Sequence, residues 1–228
     1  PQLIISGWGG DERILSAEYY EGLDKLLPAD VIFSSLDHIV PRKRVDTIYN
    51  ELPKSRQRWP IPWLENDGDQ WHAQPFVDVY QALVRDAYKG GSQGILGIHW
   101  RTREIQENIA YLVDFAWNPE LTAEQFFKDY ARRNYGPAIA EGMAAVHQKL
   151  DQLGYRWIGG NGQAECGIFD WNPSGDDGKI DALKSIREEC QRIIPEAGRS
   201  KSRLQWLVDC IVWVEEFETT QRNVLRAK

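Results

Sequence analysis

The chain has 228 residues, a formal net charge of −7, and 42% hydrophobic and 27% charged residues. The acidic balance argues against a nucleic-acid partner, because phosphate binding needs clustered Lys and Arg, and the densest basic run is only Arg42-Lys43-Arg44. No stretch approaches the roughly 20 consecutive apolar residues of a membrane span, so a membrane partner is not expected either.

Two further features of the composition shape the expectations. Cys166, Cys190 and Cys210 cannot all pair with one another, so buried free thiols are expected rather than a disulfide framework. Ten Trp and nine Tyr stand beside a single Met, which suits either a surface that stacks on sugar rings or a large core. Strand-like residues begin at once, so we expect these residues to be cut from a longer polypeptide. Its compartment stays open among periplasmic, secreted and cytoplasmic.

Four short apolar runs in the first hundred residues predict strands, and helix-like patterns follow each of them. Near-continuous apolar runs are typical of parallel strands buried on both faces. The predicted strands are Leu3–Ser6, Val31–Leu36, Ile61–Leu64 and Ile95–Trp100, and the predicted helices are Ala17–Leu26, Val45–Leu52, Pro75–Tyr88 and Glu104–Phe115.

Four such units make half of a (β/α)₈ barrel, which needs eight. A doubly wound nucleotide-binding domain fits less well, because Gly7-Trp8-Gly9-Gly10 lacks the G-x-G-x-x-G spacing. No cofactor is therefore expected. We predict an α/β fold, with the second half of a TIM-type barrel over residues 1–115.

Residues 116–228 predict an all-helical C-terminal domain. Thr122 can cap a helix that runs to about Tyr135, with Gln125 completing a capping box, and Gly136-Pro137 ends it. Further helices are predicted over Ala138–Leu153, Ile180–Ile194 and Ser202–Leu225. The last has apolar residues at helical spacing, which indicates a core-facing side.

All four predicted strands end in polar and aromatic residues, which is where a barrel places its active site. Glycoside hydrolysis needs two carboxyl groups that flank the scissile bond. Asp37 and Glu65 fit best, because each directly follows the last apolar residue of its strand and the strands are neighbours. The expected substrate-binding residues are Trp8, Asp11, His38, Trp63, Asp67, Asp69, Trp71, His99, Trp100, Arg101 and Arg103.

Within that set, Trp63, Trp71 and Trp100 are expected to form apolar walls. Arg101 and Arg103 can bind a substrate carboxylate, which favours an acidic or N-acetylated sugar. Histidines at strand ends also allow a metal-dependent hydrolase, but no H-x-H or H-x-x-x-H pair is present, so no metal site is expected. A binding or scaffold domain without catalysis is the remaining alternative.

Three segments resemble a known family. Gly97–Trp100, Asn108–Leu112 and Ala116–Glu124 look like the last strand and helix of barrel glycosidases, particularly the α-glucuronidase family and the related β-N-acetylhexosaminidases. Val31–Asp37, followed by Pro41-Arg42, resembles the family strand that ends in a catalytic Asp. The resemblance implies a partner Glu one strand later, for which Glu65 is the match, with Asp67 and Asp69 as competitors.

The same resemblance implies that the general acid lies on a strand before Pro1. Residues 1–228 alone are then expected to lack appreciable glycosidase activity. Half a barrel would also leave two open sheet edges, so we expect association with the missing N-terminal half or with a second copy.

Overall fold

The computed structural model describes residues 2–9, 17–37, 53–65, 73–100, 102–154 and 177–227. It begins with three parallel strands in the order β1 (Ile4–Gly9), β2 (Ile32–Asp37) and β3 (Arg58–Pro62). In the β1–β2 pair Ile4 lies opposite Ile32, and in the β2–β3 pair Asp37 lies opposite Pro62. The fold is therefore of the α/β type, with a small parallel sheet and a larger helical part.

The helices follow the predicted pattern with ends displaced by at most three residues, and α1 matches its predicted range. The predicted helix Val45–Leu52 lies outside the described residues. The helices are α1 (Ala17–Leu26), α2 (Val77–Lys89), α3 (Gln106–Trp117), α4 (Ala123–Tyr135), α5 (Ala140–Leu153), α6 (Asp177–Ile193) and α7 (Lys201–Ala227), with two 3₁₀ turns, Ile194–Glu196 and Gly198–Ser200, before α7.

The predicted strand Ile95–Trp100 forms a single parallel bridge, between Trp63 and Ile98, rather than a full strand. Leu96 N donates to Pro60 O, Ile98 N donates to Pro62 O, and Leu64 N donates to Ile98 O. A continuous parallel ladder also needs residue 62 to donate to the carbonyl of Leu96, and proline has no N–H. Pro62 therefore interrupts the ladder, and the prediction of a fourth full strand was wrong for this reason.

A buried guanidinium joins α1 to the sheet. Arg56, just before β3, is 5% exposed, and its Nε donates to Asp24 of α1 at 2.6 Å. The guanidinium lies 4.7 Å from the centre of the Phe33 ring on β2. The last carbonyls of a helix have no hydrogen-bond donor within the helix. The other N–H groups of Arg56 donate to carbonyls at and just past the end of α1, namely those of Asp24, Leu27, Pro28 and Val31. Arg56 thus fixes α1 to the face of the sheet that carries Phe33.

Helices α2 and α3 lie on that same face. Arg58 is the register partner of Phe33, so the two side chains share a face. Arg58 donates to the carbonyl of Gly90, at the C-terminal end of α2, at 3.1 Å. Leu64 continues the alternation of Arg58 beyond β3, and it belongs to the same buried cluster as Leu112 of α3. The three helices that the structure describes beside the sheet therefore cover one of its faces.

One apolar core runs from the end of the sheet through all of the later helices. It includes residues on both sides of the predicted domain boundary at residue 115. An edge-on contact between the Tyr111 and Phe126 rings, with centroids 5.3 Å apart, links α3 to α4. Thr122 caps α4 as predicted, since its Oγ1 accepts from Gln125 N at 3.1 Å. The side-chain amide of Gln125 instead donates to Asp129. Gly136, with φ of 86°, follows the end of α4.

The two described cysteines are buried free thiols, as expected from the sequence. Burial raises the pKa of the Cys190 thiol to about 12, and it does the same for Cys210. Cys166 lies outside the described residues. Both thiols are therefore protonated core groups at neutral pH rather than nucleophiles.

The N-terminus of α2 is capped from a distant helix. Phe76 at the N-cap position provides no side-chain cap. Instead Asp151 of α5 accepts from Val77 N at 2.5 Å and from Asp78 N at 3.1 Å. A carboxylate is a favourable acceptor at a helix N-terminus. Burial has a larger effect on the pKa of Asp151 than these hydrogen bonds. It raises that pKa to about 6, although the two backbone hydrogen bonds oppose the shift.

We expect the contribution of Asp151 to stability to fall as the pH rises. The unfolded carboxyl titrates near pH 4, roughly two units below the folded one, so the folded state holds a proton that the unfolded state has lost. The stabilisation is complete below about pH 4 and is lost as the pH rises through about 6. The free energy of unfolding of the natural chain, minus that of Asp151→Asn, should fall by about 2–3 kcal/mol between these limits. Urea denaturation at several pH values measures it, and a difference that rises with pH contradicts the expectation.

Candidate functional site

The central residue of the candidate site is Glu65, which follows β3 at the carboxyl edge of the sheet. Its side chain is 0% exposed, and Oε1 accepts the backbone N–H of Trp100 at 2.7 Å. A buried carboxyl group is costly unless it is hydrogen-bonded. The bond also joins the end of β3 to the segment that follows Ile98.

Tyr80 of α2 holds the backbone next to Glu65. Its hydroxyl donates to the carbonyl oxygen of Trp63 and is buried. Burial raises the pKa of Tyr80 well above its ordinary value, and the negative charge of Glu65 adds to this effect. The phenol therefore stays protonated and remains a hydrogen-bond donor.

Two tryptophans are close to Glu65 through the backbone, since Trp63 lies two residues before it and the backbone N–H of Trp100 donates to it. The Trp63 and Trp100 rings have centroids 6.5 Å apart and are tilted by 58°. Trp63 is 8% exposed, whereas Trp100 is 63% exposed. The pair offers one fixed indole and one indole that faces solvent, an arrangement that can stack on the apolar face of a sugar ring.

The guanidinium of Arg103 lies over the indole of Trp206 in α7, 4.5 Å from the ring centroid. This cation–π contact ties the segment after Trp100 to the helical region. His99 is exposed, as is Arg103. The helical region therefore reaches the edge of the candidate site through Trp206, a residue that the sequence analysis did not select.

Asp37 is the last residue of β2, in register with Gly9 on one side and Pro62 on the other. Asp37 and Glu65 therefore belong to neighbouring strands and to the same edge of the sheet. Trp8 lies near the end of β1, opposite Leu36. The remaining predicted site residues lie outside the described residues: Asp11, His38, Asp67, Asp69, Trp71 and Arg101.

A single buried amide fixes the backbone on both sides of residues 65–73. Asn108, in the first turn of α3, donates from Nδ2 to Leu64 O at 3.0 Å and to Gln74 O at 2.8 Å. Its Oδ1 accepts from Phe76 N at 3.1 Å. The sequence analysis did not select Asn108 or Tyr80 as site residues. A polar residue at helical spacing with the buried Tyr111, Leu112 and Phe115 is the signal that points to Asn108.

A second polar cluster is enclosed in the core. His147 Nδ1 lies 3.2 Å from Glu107 Oε1, and Nε2 lies 3.1 Å from the Tyr135 hydroxyl. Burial, followed by the charge of Glu107, raises the pKa of Tyr135. All three side chains are at most 6% exposed. The cluster therefore joins α3, α4 and α5.

The described residues contain no group of three or more His, Cys, Asp or Glu side chains that could hold a metal ion. No helix in the same part of the chain is long and apolar enough to cross a membrane. Comparison with known proteins gives no match to a protein-family model, to a curated protein or to a solved structure.

We expect Gly97→Ala to destabilise the protein and disturb the backbone that carries Glu65. A methyl group at position 97 would lie 2.5 Å from Cδ1 of Leu64 and 3.3 Å from Cδ1 of Leu112. Leu64 is buried, so the free energy of unfolding should fall by about 1–3 kcal/mol. Gly22→Ala, in α1, is the control, because nothing lies within 4 Å of its added methyl group.

That control should be neutral or stabilising by up to about 1 kcal/mol, since alanine favours helix over glycine. Chemical denaturation measures both variants. Equal effects of the two substitutions would show that the close approach at Gly97 is relieved without cost.

Proposed function

We propose that the chain is part of a glycoside hydrolase in which Asp37 and Glu65 form the carboxyl pair. The observation that carries the proposal is the position of Glu65, a fully buried carboxyl group at the carboxyl edge of a parallel sheet, one strand away from Asp37. Cleavage of an O-glycosidic bond needs one carboxyl group to donate a proton and another to attack carbon or activate water. In this proposal the proton donor is the further carboxyl group that the family resemblance implies, and Asp37 and Glu65 take the second role.

The architecture supports the barrel part of the proposal. Neighbouring strands follow one another in chain order, with the segment around Ile98 added beside β3. The described helices beside the sheet lie on one face, and a (β/α)₈ barrel has its helices on the outside only. A doubly wound sheet instead has helices on both faces and reverses its strand order. We therefore favour a barrel segment over a doubly wound domain.

The surroundings of Glu65 support a carbohydrate substrate. Trp100, whose backbone N–H binds the buried carboxyl group, is 63% exposed, and its ring lies 6.5 Å from that of the buried Trp63. In this proposal Trp100 stacks on a sugar ring, while Arg103, held over Trp206, and Arg101 select an acidic or N-acetylated sugar. In this proposal the substrate class follows from the apolar ring of Trp100 and from Arg101 and Arg103, which are close to it in sequence.

A second candidate function is sugar binding without catalysis. The observation that favours it is the exposure of Trp100, since a solvent-facing indole suffices for stacking on a sugar. The two functions separate on Glu65, because binding through an aromatic platform does not need an ionisable group.

We expect Glu65→Gln and Asp37→Asn each to reduce turnover by about 10²-fold or more, because proton transfer by a positioned group typically contributes 10²–10⁴-fold. The assay uses aryl glycosides and uronosyl oligosaccharides, with the complete natural protein that contains these residues. Glu141→Gln, an exposed carboxylate on α5, is the control and should leave turnover unchanged. Sugar binding should persist in Glu65→Gln. Unchanged turnover in both site variants would contradict the catalytic assignment, and sugar binding without any turnover would favour the second candidate.

We also expect the 228-residue chain on its own to associate in solution. Among the described residues β1 pairs only with β2, and the segment at Leu96–Ile98 is held to β3 by an interrupted ladder. Open edges of this kind invite pairing with another chain, either further βα units or a second copy. Size-exclusion chromatography with light scattering measures it. A stable monomer that cleaves a glycoside would contradict both the barrel proposal and the expected need for a further carboxyl group.

A further inference from the structure

The geometry points to Asn108 as a positioning residue that holds Glu65 in place through the carbonyl of Leu64. This inference rests on the proposed function, in which Glu65 is catalytic. Asn108 touches neither the carboxyl group nor a substrate, so its action is transmitted through the backbone.

The hydrogen bonds of Asn108 use its whole amide. Nδ2 supplies both of its donors, to Leu64 O and Gln74 O, and Oδ1 accepts from Phe76 N. The side chain is 0% exposed. Water therefore cannot replace a lost hydrogen bond without entering the core, and three backbone groups share this one amide.

Asn108 supplies a backbone contact at a point where strand pairing near Glu65 is interrupted. Pro62 interrupts the ladder to the Leu96–Ile98 segment, so regular strand pairing is weakest just before Glu65. Tyr80 holds the carbonyl of Trp63, and Asn108 holds the next one, that of Leu64. Two side chains from α2 and α3 thus replace the missing strand contacts and set the direction in which Glu65 leaves the sheet.

No other residue type of similar size can reproduce these bonds. The variant Asn108→Asp keeps an acceptor for Phe76 N but cannot donate to two carbonyls at once, and Asn108→Ala removes all three bonds. Because Asn108→Asp keeps the side-chain volume, it tests positioning without opening a cavity, whereas Asn108→Ala also removes packing. Tyr111→Phe is the matched control, because Tyr111 is on the same helix, is buried, and donates to the backbone carbonyl of Leu121, away from Glu65.

The backbone amide of Trp100 provides a readout that a general loss of stability does not move. Its proton is donated to Glu65 Oε1, so its ¹H–¹⁵N resonance should depend on the length and direction of that hydrogen bond, and it should shift in Glu65→Gln, which replaces a carboxyl oxygen with an amino group. We expect Asn108→Asp and Asn108→Ala to shift the Trp100 resonance, and Tyr111→Phe to leave it unchanged. A Trp100 resonance unchanged in Asn108→Asp would overturn the inference.

Turnover separates this inference from the proposed function. If Glu65 is catalytic, Asn108→Asp should lower kcat at least about tenfold and change KM by less than about threefold, since it displaces the reacting group and not the sugar platform. Unchanged turnover in Glu65→Gln with an altered Trp100 signal in Asn108→Asp would overturn the proposed function and leave the positioning role intact. Lost turnover in Glu65→Gln, with neither kcat nor the Trp100 signal altered in Asn108→Asp, would overturn the positioning role and leave the proposed function intact.

Discussion

The first turn of α3 is a polar junction inside an apolar core, and the rest of the described structure is arranged around it. Glu107 and Asn108 are consecutive and make contacts on different sides of the helix. Asn108 binds the backbone at Leu64, Gln74 and Phe76, and Glu107 lies against His147 of α5. Buried polar groups of this kind are costly unless they are fully paired, so they fix one arrangement of the surrounding elements. The sheet edge and the helical region are therefore held to the same turn.

This junction explains how a small sheet is combined with a large helical region. The sheet has α1, α2 and α3 on one face, and α2 and α3 belong to the core that continues through α7. Polar links at several places join the two regions: Asp151 caps α2 from α5, and Arg103 lies over Trp206 of α7. The candidate site is thus built on strands but is supported by helices that lie far away in sequence.

Periodicity predicted the features that depend on local sequence. The apolar runs predicted the three strands, although β3 spans Arg58–Pro62 and overlaps the predicted Ile61–Leu64 only at residues 61 and 62. The helical spacing predicted the helices around them, and Thr122 caps α4 as its position indicated. The placement of Glu65 at the end of a strand followed from the apolar residues before it. The barrel, the carboxyl pair and the substrate remain predictions, because each depends on groups or contacts beyond those described.

The features that the sequence did not predict are contacts between distant residues. Tyr80 and Asn108 are ordinary members of helices until the fold brings them to the carbonyls of Trp63 and Leu64. His147 of α5 is likewise a buried partner of Glu107 and Tyr135, which lie on two other helices. The failure of the fourth strand has a cause visible in the chain, since Pro62 cannot donate, but its effect requires knowing which neighbour its nitrogen faces.

The missing proton at Pro62 also bears on how the sheet opens. β2 is hydrogen-bonded to a strand on each side, whereas the Leu96–Ile98 segment is held by three bonds on one side. Proteins open locally where the fewest bonds must break, well before they unfold globally. The boundary between β3 and this segment is therefore the line along which the sheet parts at least cost, and Trp100 lies just past its end. Opening along this boundary would break the hydrogen bond from Trp100 N to Glu65 while β1, β2 and β3 stay paired.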